Sequence, residues 1–213
     1  MIEADADVDA FLAAARRQRS AAMLCQLERA GAERGIGACV DEVLFPALRR
    51  IGLWWQAEQC GAEVEQLATE VGRTWLAGTA AWAPAPADTA AVVLACGPRD
   101  QHTVGMEALA ALLRHEEQPC RVLGARTSTR AIVTAVRAGP ARAVVLVSHL
   151  RAHRPAAAQA LRVAAPLGPV LFYAGGAFDT ARLRRHVPGT FLGTSVRAAC
   201  ATILAAEIGH LHQ

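Results

Sequence analysis

The residues of this chain whose types and spacing point to chemistry are Asp100-x-His102-x-x-Gly105. A carboxylate beside a histidine accepts one ring N–H, fixes the tautomer and leaves the other nitrogen as a better metal ligand. Gly105, with no Cβ, lets a large group approach the backbone. Two other short stretches are unusual: Ser148-His149-Leu150 and Gly175-Gly176. Each follows an apolar run of strand-like composition.

Positioning these residues takes a particular fold. Ala90 to Cys96 reads as a buried parallel strand, and Val104 to Glu117 as a helix with apolar residues at Val104, Met106, Leu109, Leu112 and Leu113. Further strands are expected at Arg121–Gly124, Ala143–Val147, Val170–Tyr173 and Thr190–Leu192. Helices are expected at Thr129–Ala138, Pro155–Ala164, Asp179–Arg185 and Val196–Leu211. Alternating strands and helices predict a doubly wound, five-stranded parallel sheet in flavodoxin-like order. All three unusual stretches then fall on one edge, at the carboxyl ends of the strands, where such sheets bind ligands.

The first part of the chain reads as helices. Val8–Arg17 has Asp7 or Asp9 as its cap, Ser20–Ala30 is followed by breaks at Gly31 and Gly35, and Ile36–Gln59 contains Pro46 as an expected kink. Ile36, Val40, Val43, Leu44, Leu48, Ile51 and Trp55 share the spacing of one buried face, and Ala62–Ala80 supplies the last helix. Short turns between them predict an up-down four-helix bundle. The expected fold class is therefore α + α/β, with a bundle over 1–83, a proline-containing linker over 84–88 and the sheet domain over 89–213.

Composition removes several chemistries. All 22 Lys+Arg positions are Arg, so no lysine Schiff base, P-loop or lysine general base is available. The net charge of +3 is too mild to argue for nucleic acid. None of the six cysteines forms a C-x-x-C pair, so zinc-ribbon and dithiol chemistry are not expected. The first strand lacks G-x-G-x-x-G after it, and Ser148 lacks the G-x-S-x-G of a hydrolase elbow. The acidic Met1–Asp9 is unlike a signal peptide, and no apolar run reaches membrane-spanning length, so a cytoplasmic location without membrane contact is expected. One histidine is too few for zinc. It suits a metal that arrives with its equatorial ligands in place, as in a corrin or haem.

The trio Asp100-x-His102-x-x-Gly105, Ser148-x-Leu150 and Gly175-Gly176 resembles the cobalamin-binding domain of the methionine synthase type, over about residues 89–213. The resemblance implies a cofactor bound base-off. His102 would be the lower cobalt ligand and Asp100 its hydrogen-bond partner. Ser148 and Leu150 would flank the dimethylbenzimidazole tail, with Gly105, Gly175 and Gly176 leaving room for it. The bundle would be the cap over the upper face of the corrin. Trp55 and Glu65 are similar to the Trp-x9-Glu-His motif of light-sensing B12 proteins, where these residues surround a 5′-deoxyadenosyl group. Gln66 stands where that motif has its final histidine, and Gln56 where that group often has one.

The resemblance thus implies a B12-dependent photoreceptor binding adenosylcobalamin, a cofactor-binding protein rather than a catalyst. Its output would pass through a homo-oligomer or a separate effector, since no DNA-binding domain precedes the bundle. A remodelled upper cavity at Gln56 and Gln66 raises biliverdin as a second chromophore. The alternative is a corrinoid methyl carrier of a methyltransferase system; a simple cobalamin store is a third reading. Without the resemblance, Trp54, Trp55 and Trp75 read as bundle core, Glu65 as a solvated carboxylate, and His149 as a bystander at a strand end.

Overall fold

The computed structural model describes residues 2–79 and 89–206. The chain divides into two compact units, Met1–Ala80 and Ala81–Gln213. The expected linker at 84–88 and the chain from 207 onward lie outside the described residues.

The first unit is helical: α1 (Ile2–Arg16), α2 (Ser20–Arg34), α3 (Ile36–Cys39), a π-helical turn at Val40–Leu44, α4 (Phe45–Gln56) and α5 (Ala62–Thr79). Phe11, Met23, Leu27, Leu44 and Ile51 are fully buried among these helices. Three expectations are corrected here. Asp7 is not a helix cap. It lies inside α1, almost fully buried, and its carboxylate accepts from Gln26 at 2.6 Å, from Arg29 at 2.5 Å and from Arg34. Three donors on α2 replace the water that a buried carboxylate loses. Nor does Gly31 break α2. A Cβ there would stand 2.8 Å from the Trp75 ring, so the glycine lets α5 pack close, and the helix ends at Gly35 with φ +82.

The third correction concerns the long helix. Pro46 offers no N–H and its ring crowds the carbonyl four residues back. The chain responds upstream: the Phe45 N–H donates to the Val40 carbonyl, five residues back, and a π turn separates α3 from α4. Beyond it, Ala47 and Ile51 keep the buried face, but Trp55 leaves it and is 52% exposed. Trp54 is half-buried under the Arg16 guanidinium, 4.1 Å from the ring centroid, whereas Trp75 is buried core.

The second unit runs β1 (Ala91–Cys96), α6 (Val104–His115), β2 (Cys120–Gly124), α7 (Thr129–Arg137), β3 (Ala141–Val147), α8 (Arg154–Ala164), β4 (Val170–Ala174), α9 (Ala181–Arg184), β5 (Thr190–Phe191) and α10 (Val196–Ala205). The five strands are all parallel, in the order β2-β1-β3-β4-β5. β1 is buried along its whole length and β3 over Ala143–Val147, which is why both read as continuous apolar runs. Helices α7 and α8 pack together, as do α6 and α10. Val93, Ala95, Val144, Leu146, Ile132 and Leu161 form part of one continuous core. The helix expected at Asp179–Arg185 is the short α9, preceded by a 3-10 turn at Gly176–Phe178. Among the described residues, no helix is long and apolar enough to cross a membrane.

Candidate functional site

β1 and β3 are neighbours, with Cys96 opposite Val147, so the loops that leave them start side by side. The Gly97 N–H donates to Val147 and the Asp100 N–H turns back to Gly97 at 3.0 Å. Arg126, at the end of β2, donates its N–H to the Asp100 carbonyl at 2.7 Å. Backbone bonds from two neighbouring strand ends therefore fix Asp100 in place, and its side chain is fully buried.

That carboxylate is the centre of the site. Its Oδ1 accepts the His102 N–H at 3.0 Å and lies 2.9 Å from His102 Nδ1. Its Oδ2 accepts the His149 N–H at 2.5 Å, and the His149 Nδ1 is 3.7 Å from Oδ1. Burial by itself raises the pKa of Asp100. The His149 imidazole, the two backbone N–H groups and the His102 ring outweigh it and hold the carboxyl well below the usual carboxylate range. An ionised acceptor at Nδ1 puts the ring proton there, so His102 Nε2 carries a lone pair. The His102 side chain is 57% exposed, and that nitrogen is available to a metal from solution. Cys96 lies behind, its thiol 3.4 Å from the His102 carbonyl; burial pushes its pKa up to about 12, so it is a packed thiol and not a nucleophile.

Ser148 is fully buried, and its hydroxyl has no hydrogen-bond partner among the described residues. An orphaned buried hydroxyl is costly and calls for an account. The glycine pair explains how it is held. Gly175 adopts φ +98, and a Cβ there would stand 2.3 Å from the Ser148 carbonyl oxygen. A Cβ on Gly176 would stand 2.9 Å from the His149 carbonyl oxygen. The loop after β4 thus closes directly onto the end of β3, where Ala177 donates to Ser148 at 3.1 Å. These glycines serve first the chain's own backbone contact. Gly105, in the first turn of α6, faces more open space: a Cβ there would be 4.0 Å from His149 Nε2. Leu150 is 48% exposed beside them.

Asp100, His102, Gly105, Ser148 and Gly176 are thus joined through His149, which sequence reasoning set aside. The expected strand order already held the signal: with β1 and β3 as neighbours, the residue after Ser148 meets the residue after Arg99. Trp55 and Glu65 belong to the helical unit, at the end of α4 and in the first turn of α5. Glu65 is half-buried and accepts from Thr69 Oγ1 at 3.4 Å, so it is not the freely solvated carboxylate that composition alone suggested. Of the other histidines, His115 and His186 are exposed, while His153 is half-buried at the start of α8.

Residues 90–201 match the B12 binding domain family. This chain belongs to that family. The structure is also similar to solved B12- and corrinoid-protein structures. The monomethylamine corrinoid protein of Methanosarcina barkeri aligns with a TM-score of 0.75 and 10% identity, over 95% of this chain and 99% of that one. A cobalamin-binding protein from Desulfitobacterium hafniense DCB-2 aligns at 0.49 with 14% identity, over 95% and 99% of the two chains. The methanol:cobalamin methyltransferase complex of M. barkeri aligns at 0.48 with 15% identity, over 95% and 81%. No curated protein matches.

The residues of this B12-binding chain fit the group that the family takes. A corrinoid needs one axial donor, and His102 offers a lone pair on an exposed ring whose other nitrogen is held by a buried anion. The Ser148 hydroxyl is a buried donor with no acceptor among the described residues.

Proposed function

We propose that this corrinoid-binding protein is a carrier: it holds a corrinoid with His102 on the lower face of cobalt and presents it to a separate methyltransferase. The bound corrinoid supplies a cobalt centre that accepts and gives up a one-carbon group. The chain's own residues hold and tune it. Asp100 keeps the His102 proton on Nδ1, which leaves Nε2 to the metal. The charged carboxylate also makes that nitrogen a stronger donor. Ser148 donates to the cofactor's tail, and Leu150 and Gly105 border it. No residue of this chain is assigned a catalytic step.

The observation that favours this reading over a sensor is the alignment, over 95% of this chain and 99% of the other, to a protein named as a monomethylamine corrinoid protein. Gln56 and Gln66 favour it too, since the light-sensing motif ends in a histidine where Gln66 stands and often has one where Gln56 stands. A carrier tolerates different upper ligands. Methyl-, adenosyl- and hydroxocobalamin are expected to bind with similar affinity, and green light is expected to leave the elution volume of each complex unchanged.

The photoreceptor remains the second reading, on one observation. Trp55, exposed at the end of α4, and Glu65, at the start of α5, keep the Trp-x9-Glu spacing. This reading requires a strong preference for adenosylcobalamin and a light-driven change in oligomeric state or in binding to an effector. A bilin partner chromophore is tested in the same preparation: reconstitution with biliverdin must give a far-red band that responds to cobalamin. An unchanged free-bilin spectrum removes it.

A further inference from the structure

We propose that the corrin-free protein binds a single divalent transition-metal ion at Asp100, His102 and His149, and that this ion and a corrinoid exclude each other at His102. One ligand atom from each of these residues lies within 4.8 Å of the others. His149 is the variable position of Ser148-x-Leu150, and the corrinoid reading gives its ring no task.

The two spacings around the carboxylate are close to those of a tetrahedral site. With metal–ligand bonds of about 2.0–2.1 Å, neighbouring ligand atoms stand about 3.3 Å apart. Around Asp100 Oδ1, His102 Nδ1 is at 2.9 Å and His149 Nδ1 at 3.7 Å. One spacing opens by a few tenths of an ångström and the other closes by as much. The His149 Nδ1 is buried and has no partner within hydrogen-bond distance among the described residues; its 3.7 Å approach to Asp100 Oδ1 already turns it toward the other two ligands. The carboxylate stays oriented because Oδ2 keeps the His149 N–H. Two imidazoles and a carboxylate, with a position left for water, suit Zn²⁺ or Co²⁺.

The exclusion follows from the imidazole tautomer. While Asp100 accepts the proton on Nδ1, the His102 Nε2 lone pair is open to cobalt. An ion seated on Nδ1 moves that proton to Nε2, and a protonated Nε2 cannot ligate. No proton leaves the ring, so the neutral imidazole serves one metal or the other. This half of the proposal rests on the corrinoid reading; the ion site itself does not.

The test uses the purified full chain without corrinoid, titrated with Co²⁺. The expected result is stoichiometric uptake, with visible bands of nitrogen and oxygen coordination, no thiolate charge-transfer absorption, and displacement by Zn²⁺. His149→Ala and His149→Phe, checked for folding by circular dichroism, are expected to take up no ion. At Zn²⁺ ten times above its Kd, the apparent Kd of wild type for hydroxocobalamin is expected to rise about tenfold, and a chelator restores it. The His149 variants are expected to be insensitive to Zn²⁺. No Co²⁺ uptake by wild type, a thiolate band, or equal uptake by both variants overturns the ion site. Unaltered cobalamin loading at saturating Zn²⁺ overturns the exclusion. If wild type takes up Co²⁺ but never binds cobalamin, the corrinoid reading fails and the ion site stands.

Discussion

Replacing Asp100 by Asn tests how far the buried carboxylate controls His102. The carboxylate accepts from the His102 N–H at 3.0 Å, the His102 ring at 2.9 Å and the His149 N–H. An asparagine has one oxygen for these donors, so its NH₂ must face an N–H. An unsatisfied buried donor costs about 1–3 kcal/mol, and the free protein is expected to lose that much stability at pH 7. The His102 tautomer also loses its anionic partner. Loss of such a partner typically weakens metal binding about 10–100-fold, equal to about 1.4–2.7 kcal/mol. Equilibrium titration with hydroxocobalamin, followed by absorption, reads the second effect, and urea melts read the first. The two separate with pH. The folded-state pKa of Asp100 lies below its ordinary value of 3.8. Its contribution is therefore fully present above that value and is lost as pH falls below it. The stability gap between wild type and Asp100→Asn is expected to hold from neutral pH to about 4 and to narrow below it. A variant that binds cobalamin within about twofold of wild type at pH 7, outside the loss expected for such a partner, refutes the reasoning.

Three further outcomes follow from the same geometry. Ser148→Ala removes a buried hydroxyl that has no partner, so the free protein is expected to keep or slightly gain stability, while corrinoid affinity falls by about 0.5–1.5 kcal/mol. Melting curves and cobalamin titration moving in the same direction would contradict that. Gly175→Ala forces φ +98 on an L-residue and sets a Cβ 2.3 Å from the Ser148 carbonyl; a loss of about 2–5 kcal/mol is expected in urea melts. Trp55→Ala truncates a ring that is 52% exposed, and the free protein is expected to change by less than about 1 kcal/mol, since surface substitutions seldom cost more. A larger loss would return Trp55 to the core.

Much of the sheet unit was legible because its two central strands, β1 and β3, are buried on both faces. Continuous apolar runs such as Ala90–Cys96 and Ala143–Val147 are too short for a helix, the alternation with helices makes the sheet parallel, and the flavodoxin-like order expected for it is the one found. The helical unit was less legible where tertiary partners override local pattern. Asp7 reads as a cap until Gln26, Arg29 and Arg34 are brought to it from α2. Gly31 reads as a break until Trp75 is packed against it. Trp55 keeps the spacing of the buried face, four residues after Ile51, but it stands in the last turn of α4, where it is 52% exposed. At the site, Asp100 and His102 declared themselves by type and spacing. His149 did not, because its contact to Asp100 is made across two strands by a backbone N–H that every residue except proline possesses.

The account depends most on His102 as the lower cobalt ligand, and one spectrum addresses it directly. The protein is loaded with cob(II)alamin, and its electron paramagnetic resonance is recorded with natural and ¹⁵N-labelled histidine. With an imidazole of His102 on cobalt, labelling is expected to turn each nitrogen triplet into a doublet, and His102→Ala is expected to abolish the change. Triplets that survive labelling, as from the cofactor's own benzimidazole still bound to cobalt, would contradict the account.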